Sequence, residues 1–353
     1  MIFVAELLNH GADPNICGGK YGTALIVASS QGHVENVKEL LTKGADINAQ
    51  DGFYGTALQA ASYAGYIKVV QLLVEKGADV NAQGGDYGTA LQAASLEGHI
   101  EVIQLLVEKG ADVNAQGRTY GTALQAALYR GHIEVIQLLV EKGADVNAQS
   151  KYFAYGTALQ AASFGGYIEV IQLLLEKGAD VNAQVVFKDG AALYAASYQG
   201  HIEVIQLLVE KGADINAQDG FYGTALQAAS YAGYIKVVQL LVEKGADVNA
   251  QGEYFSLARI HGSTSYCGHI KVIQLLVEKG ADVNAQGGAY GTALQAASYW
   301  GHIEVIQLLV EKGADVNVQG GYYGTALQAA LSKGHTKVVQ LLVEKGAGIK
   351  AKD

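Results

Sequence analysis

Proline occurs once in this 353-residue chain, at Pro14, and cysteine only twice, at Cys17 and Cys267. The two cysteines lie far apart and match no metal or redox spacing, so they read as free thiols in a reducing, cytoplasmic setting. Charged residues make up only 16% of the chain, and 34 acids against 24 bases leave a net charge of −10. Without a Lys/Arg cluster, such a chain is a poor ligand for nucleic acid or for anionic lipid. Every apolar run is broken well short of the roughly 18 residues a membrane helix needs. The apolar start, Met1 to Leu8, has no basic leader and is interrupted by Glu6, so it does not read as a signal peptide. His-Glu-x-x-His, paired carboxylates and a phosphate-cradling glycine loop are all missing from any plausible context. No enzyme activity, cofactor or metal is expected.

Glycine, in contrast, occurs 45 times, and its positions are periodic. Gly-Ala-Asp begins at Gly11, Gly44, Gly77, Gly110, Gly143, Gly178, Gly212, Gly245, Gly280 and Gly313, with Gly346-Ala347-Gly348 as a decayed further copy. Successive copies are 33 to 35 residues apart. Such a period signifies a repeat architecture, not two or more independent globular domains. In the unit Asp51–Gln83, Tyr54-Gly55 is a turn and Thr56 an N-cap. A short first helix follows, with small residues Ala57, Ala60 and Ala61. Gly65 ends it, and a second helix opens near Tyr66 with an apolar stripe at Ile67, Val70, Leu73 and Val74, widened by Val69 and Leu72. Gly77 takes the position after the helix that favours a left-handed backbone. The first helix is too short to stand alone, so the core must form between repeats.

Thr-Ala-Leu-Gln-Ala-Ala-Ser-x-x-Gly-His followed by Leu-Leu-x-x-Gly-Ala-Asp-Val-Asn-Ala resembles the ankyrin repeat over nearly the whole chain. The resemblance implies an all-α solenoid of helix–turn–helix units with β-hairpin-like fingers. It also implies protein binding through a concave face. The Thr-Pro-Leu-His motif of the family is altered: Ala stands for Pro at Ala57, Ala90 and Ala123, and Gln for His at Gln59, Gln92 and Gln125. Arrays with this Gln are most similar to those of filamentous fungi, often attached to NACHT-type NTPase domains. That similarity implies the sensor region of a larger receptor-like protein.

One array is expected over residues 1–353: a half repeat at 1–18, then ten full repeats from about residue 19, with a degenerate one near 252–284. The chain begins inside a second helix, as a fragment or the tail of a longer protein would. Lys43–Gly84 is identical to Lys211–Gly252, five repeats on, as after a recent duplication. From Tyr254 to Ser265 the first-helix pattern is lost, and a hinge is expected over Phe255–Ser265.

Histidines after the helix-ending glycine (His33, His99, His132, His201, His269, His302, His335) stand roughly 10 Å apart by helix-packing distances, too far to share one ion. They read as residues opening the second helix. Asp79 and its equivalents read as turn formers. Tyr54, Tyr87, Tyr120, Tyr155, Tyr222, Tyr290 and Tyr323 share one register and read as finger packing.

Positions that vary between otherwise near-identical copies are better candidates for recognition. They concentrate at the fingertip before Tyr-Gly and at the end of the first helix, and they are rich in aromatics, the residue types of interface hot spots. The candidate partner-binding set is Phe53, Tyr63, Tyr129, Arg130, Tyr152, Phe153, Phe164, Phe187, Tyr198, Phe221, Tyr231, Tyr299, Trp300 and Tyr322. The longer fingers carrying Tyr152, Phe153 and Phe187 are expected at its centre. The expected partner is a protein bound by a monomeric array or by part of a longer chain. The alternative is a scaffold or spacer with no specific ligand on that face.

Overall fold

Most of the described first helices start by the same local chemistry. In the computed structural model, Thr56 sits in extended backbone and its hydroxyl accepts from the Gln59 amide N–H, while Gln59 Oε1 accepts from the Thr56 N–H at 2.6 Å. This reciprocal capping box satisfies two donors that a helix start otherwise leaves unpaired. It recurs at Thr89/Gln92, Thr122/Gln125, Thr224/Gln227, Thr292/Gln295 and Thr325/Gln328. The structure describes residues 2–117, 119–149, 156–183, 190–218, 223–250, 266–287 and 291–348. The expected hinge over Phe255–Ser265 lies outside the described residues.

Among the described residues the fold is helical. First helices such as Ala57–Tyr63, Ala90–Glu97 and Ala123–Arg130 alternate with second helices such as Ile67–Glu75, Ile100–Glu108 and Ile133–Glu141. Four of the described fingers carry a single antiparallel bridge, Asp51 with Gly55, Gly84 with Gly88, Gly287 with Gly291 and Gly320 with Gly324. One second helix departs from the pattern. It runs Tyr266–Glu278, through the Gly268-His269 pair that elsewhere forms the turn. Upstream of it the sequence lacks the Thr-Ala-Leu-Gln-Ala-Ala pattern that elsewhere sets that turn.

The core lies between neighbouring units, as the patterning requires. Ala57, Ala60 and Ala61 are buried, with Val69, Val70 and Leu73 of the second helix. Burying a leucine or valine side chain contributes about 1.5–3 kcal/mol, so each repeat gains most from its neighbours. Two compact units emerge, Met1–Ala162 with Tyr167–Asp180, and Ser163–Gly166 with Val181–Asp353.

Polar contacts run between repeats alongside this packing. Gln59 Nε2 donates to Ala82 O (3.0 Å) and Gly88 O of the next finger, and Gln92 Nε2 donates likewise to Ala115 O (2.9 Å) and Gly121 O. Asn81 Nδ2 donates to Gly110 O at 3.0 Å and its Oδ1 accepts from Asp112 N at 2.7 Å. Asn48, Asn114, Asn216 and Asn284 accept from the next repeat in the same way. Asp79 Oδ1 accepts from Asn81 N, the turn role expected of it. Finally, His99 Nε2 meets the Tyr63 carbonyl at 3.0 Å, and His132 the Leu96 carbonyl at 3.1 Å. A carbonyl only accepts, so the ring proton is on Nε2, and the histidine satisfies an orphan at the end of the preceding first helix. Gly65 makes room for that ring: its φ is +75°, and a Cβ there would stand 2.5 Å from His99 Cε1.

The helix Ala192–Gln199 lacks this local chemistry. Its N-cap is Ala191, which has no side chain to accept a bond, and Tyr194 occupies the glutamine position. Losing an N-cap side chain costs about 1 kcal/mol. Amides of Ala195–Tyr198 should therefore exchange faster than those of Ala126–Tyr129 in native-state hydrogen exchange. The double substitution Ala191→Thr, Tyr194→Gln should slow them by restoring the box. Equal protection in the two wild-type segments would contradict this account of the caps.

Candidate partner-binding face

At two places among the described residues the end of a first helix lands on the finger of the following repeat, and this joins the two variable registers. Tyr63 stacks on Tyr87, with ring centroids 4.3 Å apart and planes 26° from parallel. The same spacing in sequence brings Tyr299 to Tyr323, at 4.4 Å. In the first unit the rings continue as a ladder. Phe53 meets Tyr54 and Tyr87 edge-on at 5.5 and 5.2 Å, Tyr87 lies near-parallel to Tyr120 at 6.5 Å, and Tyr120 meets Tyr129 at 5.6 Å. Such aromatic pairs add about 0.5–1.5 kcal/mol beyond their buried area.

The ladder has a buried rail and an exposed edge. Tyr87 is only 8% exposed and packs with Ala93, Leu96 and Ala126, while Tyr54, Tyr63 and Tyr120 are partly covered by that cluster. This is the finger packing expected of the shared tyrosine register. Burial pushes the phenols of Tyr54, Tyr87 and Tyr120 above their ordinary value, most strongly at Tyr87, where the Tyr63 hydroxyl adds a hydrogen bond. Phe53 remains 37% exposed and Tyr129 51%. Arg130 is exposed and reaches Glu97 Oε1 at 3.4 Å, a contact between the ends of successive first helices.

In the second unit, Phe164, Tyr198 and Tyr231 are half-buried at first-helix ends. The Phe164 carbonyl accepts from His201 Nε2 at 3.0 Å. Tyr299 meets Trp300 edge-on at 5.1 Å, and Lys333 Nζ stands 4.6 Å from the Tyr299 ring centre. The Lys333 ammonium, with a further hydrogen bond from Tyr323, holds the Tyr299 phenol below its usual value. Trp300 is 44% exposed and Tyr322 is 84% exposed, at the fingertip. Tyr152, Phe153, Phe187 and Phe221 lie outside the described residues.

Among the described residues no three His, Cys, Asp or Glu side chains are grouped to hold a metal, and no helix is long and apolar enough to cross a membrane. Open hollows at the Gly-His turns, one lined by Gly98, His132 and Glu134, contain a histidine whose Nε2 is already given to a carbonyl. Sequence reasoning left the glutamines without a role. The Thr-x-x-Gln spacing was the available signal for the cap, whereas the bond to the next finger depends on a tertiary approach.

Comparison with known proteins follows the repeat. The family model for ankyrin repeats (3 copies) matches residues 2–84, 50–117, 83–150, 118–185, 158–252 and 260–353. No curated protein matches the chain. Among solved structures, the chain is similar to the crystal structure of the human ASB11 ankyrin repeat domain, with 26% identity and a TM-score of 0.54. The match covers 64% of this chain and 99% of that one.

The ladder makes its own prediction for alkaline solution. The neutral phenol is favoured in the folded state, so the native protein retains protons that the unfolded chain releases above about pH 10. Stability should be fully present below that pH and fall as pH rises beyond it. Phenylalanine at position 87 should weaken this loss. Urea unfolding across the alkaline range measures it, and a stability that did not fall would contradict burial of the ring.

Proposed function

The chain belongs to the ankyrin-repeat family, whose repeats are protein–protein interaction modules and generally non-catalytic, and from that premise we propose that it binds a protein partner through the face formed by its fingertips and first-helix ends. This is the face that the family uses as its concave groove. The observation that carries the reading is the meeting of variable aromatics with the shared finger tyrosines. Tyr63 on Tyr87 and Tyr299 on Tyr323 place the residues that differ between repeats on a rigid aromatic base. Exposed neighbours then vary from one repeat to the next: Phe53, Tyr129, Trp300 and Tyr322. A rigid, amphipathic aromatic surface loses little side-chain entropy on binding, which is why such residues dominate interfaces.

The longer fingers carrying Tyr152, Phe153 and Phe187 belong to the centre of this face in our reading. The module serves as the sensing region of a larger receptor-like protein of fungal type, in the cytoplasm, with no activity of its own. A spacer is the competing reading. It is disfavoured because a spacer has no need for aromatics at the positions that differ between repeats.

The test is an affinity capture with the full chain, set against a variant with Phe53, Tyr129, Trp300 and Tyr322 changed to Ser. These four are exposed, so helicity should be unchanged by circular dichroism. A second variant changes Tyr152, Phe153 and Phe187 to Ser. Specific capture should fall at least about tenfold in both, as for loss of several hot-spot side chains. Equal capture by all three proteins would favour the spacer.

A further inference from the structure

The two ends of the array differ in charge chemistry. From Gly320 onward the sequence carries Lys333, Lys337, Lys345, Lys350 and Lys352 against only Glu344 and Asp353, a net of +3 inside a chain of −10. Exposed aromatics accompany this segment. Tyr322 and Trp300 are exposed, Trp300 meets Tyr299 edge-on, Tyr322 directly precedes the Tyr323 on which Tyr299 packs, and Lys333 Nζ lies over Tyr299. Lys333 is exposed and pairs with no carboxylate among the described residues. The corresponding end of the ladder in the first unit is different, because there Arg130 is already held by Glu97.

We propose that the Tyr299–Trp300–Tyr322–Lys333 patch docks an acidic segment of the protein partner, with a partner carboxylate on the Lys333 ammonium and an adjoining apolar side chain against Trp300 and Tyr322. The proposal rests on the reading of the array as a protein-binding module and names the chemistry of what one end of it takes. The donor set is suited to that occupant. Lys333 offers an ammonium that pairs with no carboxylate among the described residues, and the exposed Tyr322 hydroxyl is a further donor at the fingertip. Packing over the Tyr299 ring and a hydrogen bond to its hydroxyl fix the lysine head in place, so little freedom is lost when a carboxylate arrives. The net negative charge of the rest of the sequence would repel the same segment, which gives it one register. Nucleic acid is a weaker fit. The described residues of this segment contribute three lysines and no arginine, too few for the several phosphate contacts that such binding needs.

Trp300 is the only tryptophan, so indole emission from the full chain reads this patch alone. The probe is a capped peptide of repeated Glu-Asp-Leu triplets, which contains no aromatic residue. Its counter-probe is the same length of Lys-Arg-Leu. Titration with the acidic peptide should shift Trp300 emission saturably, and the basic peptide should not. Binding should weaken about tenfold in Lys333→Glu, recover in Lys333→Arg, and weaken as ionic strength rises from about 0.01 to about 0.15 M. Unchanged circular dichroism spectra keep these variants interpretable. The proposal is overturned by equal binding to Lys333→Glu, by absence of any acidic-peptide response, or by a larger response to single-stranded oligothymidylate or phosphatidylserine vesicles. Failure here with aromatic-dependent capture intact would remove the acidic partner and keep the binding module. Loss of both would remove the module.

Discussion

A single buried carboxamide does two tasks in most of these repeats. Gln92 Oε1 accepts from the Thr89 N–H and closes its own helix, while Gln92 Nε2 donates to carbonyls of the next finger. Both ends of the amide are used, and the side chain is buried. An amide so placed is stabilising only while every bond is made, since an unpaired buried donor or acceptor costs about 1–3 kcal/mol. It therefore ties local helix formation to the arrival of the neighbouring repeat. The asparagine and histidine contacts repeat this logic at the turn and at the helix junction, and all of them pass between adjacent repeats.

This coupling also positions the recognition face. Gly88, whose carbonyl takes the Gln59 amide, directly follows Tyr87 in the finger, and Tyr87 is the ring on which Tyr63 stacks. Holding the finger thus holds the aromatic ladder. Rigid finger tyrosines leave the neighbouring positions free to differ from one repeat to the next. The exposed residues differ between repeats, with Phe53 and Tyr129 in the first unit and Trp300 and Tyr322 in the second.

Much of the fold was legible because it is set by local chemistry repeated many times. The period, the Thr56 cap, the left-handed glycine after the second helix and the small face of Ala57, Ala60 and Ala61 all follow from short-range patterns, and the structure has each of them. The family membership follows from the same patterns. The candidate face was legible only in part. Variation between copies singled out Phe53, Tyr63 and Trp300, but not that Tyr63 would be half-covered by stacking on Tyr87 while Trp300 stays open. That difference depends on how one repeat's helix end meets the next repeat's finger, a distance no local pattern encodes. The same holds for Gln59, whose cap was implicit in Thr-x-x-Gln and whose bond to Ala82 was not.

The dual role of the buried glutamine is the central claim, and the chain supplies its own control. Gln328 forms the same capping box as Gln92, but its side chain is exposed. Alanine at either position removes the glutamine half of the capping box and leaves the threonine half, whereas only alanine at position 92 also removes the buried bonds to the next finger. Equilibrium urea unfolding of Gln92→Ala and Gln328→Ala, followed by circular dichroism, separates the two contributions. Gln92→Ala should cost about 2 kcal/mol or more, and Gln328→Ala about 1 kcal/mol or less. Equal losses, agreeing within about 0.5 kcal/mol, would show that the amide only caps its own helix, and would contradict the account.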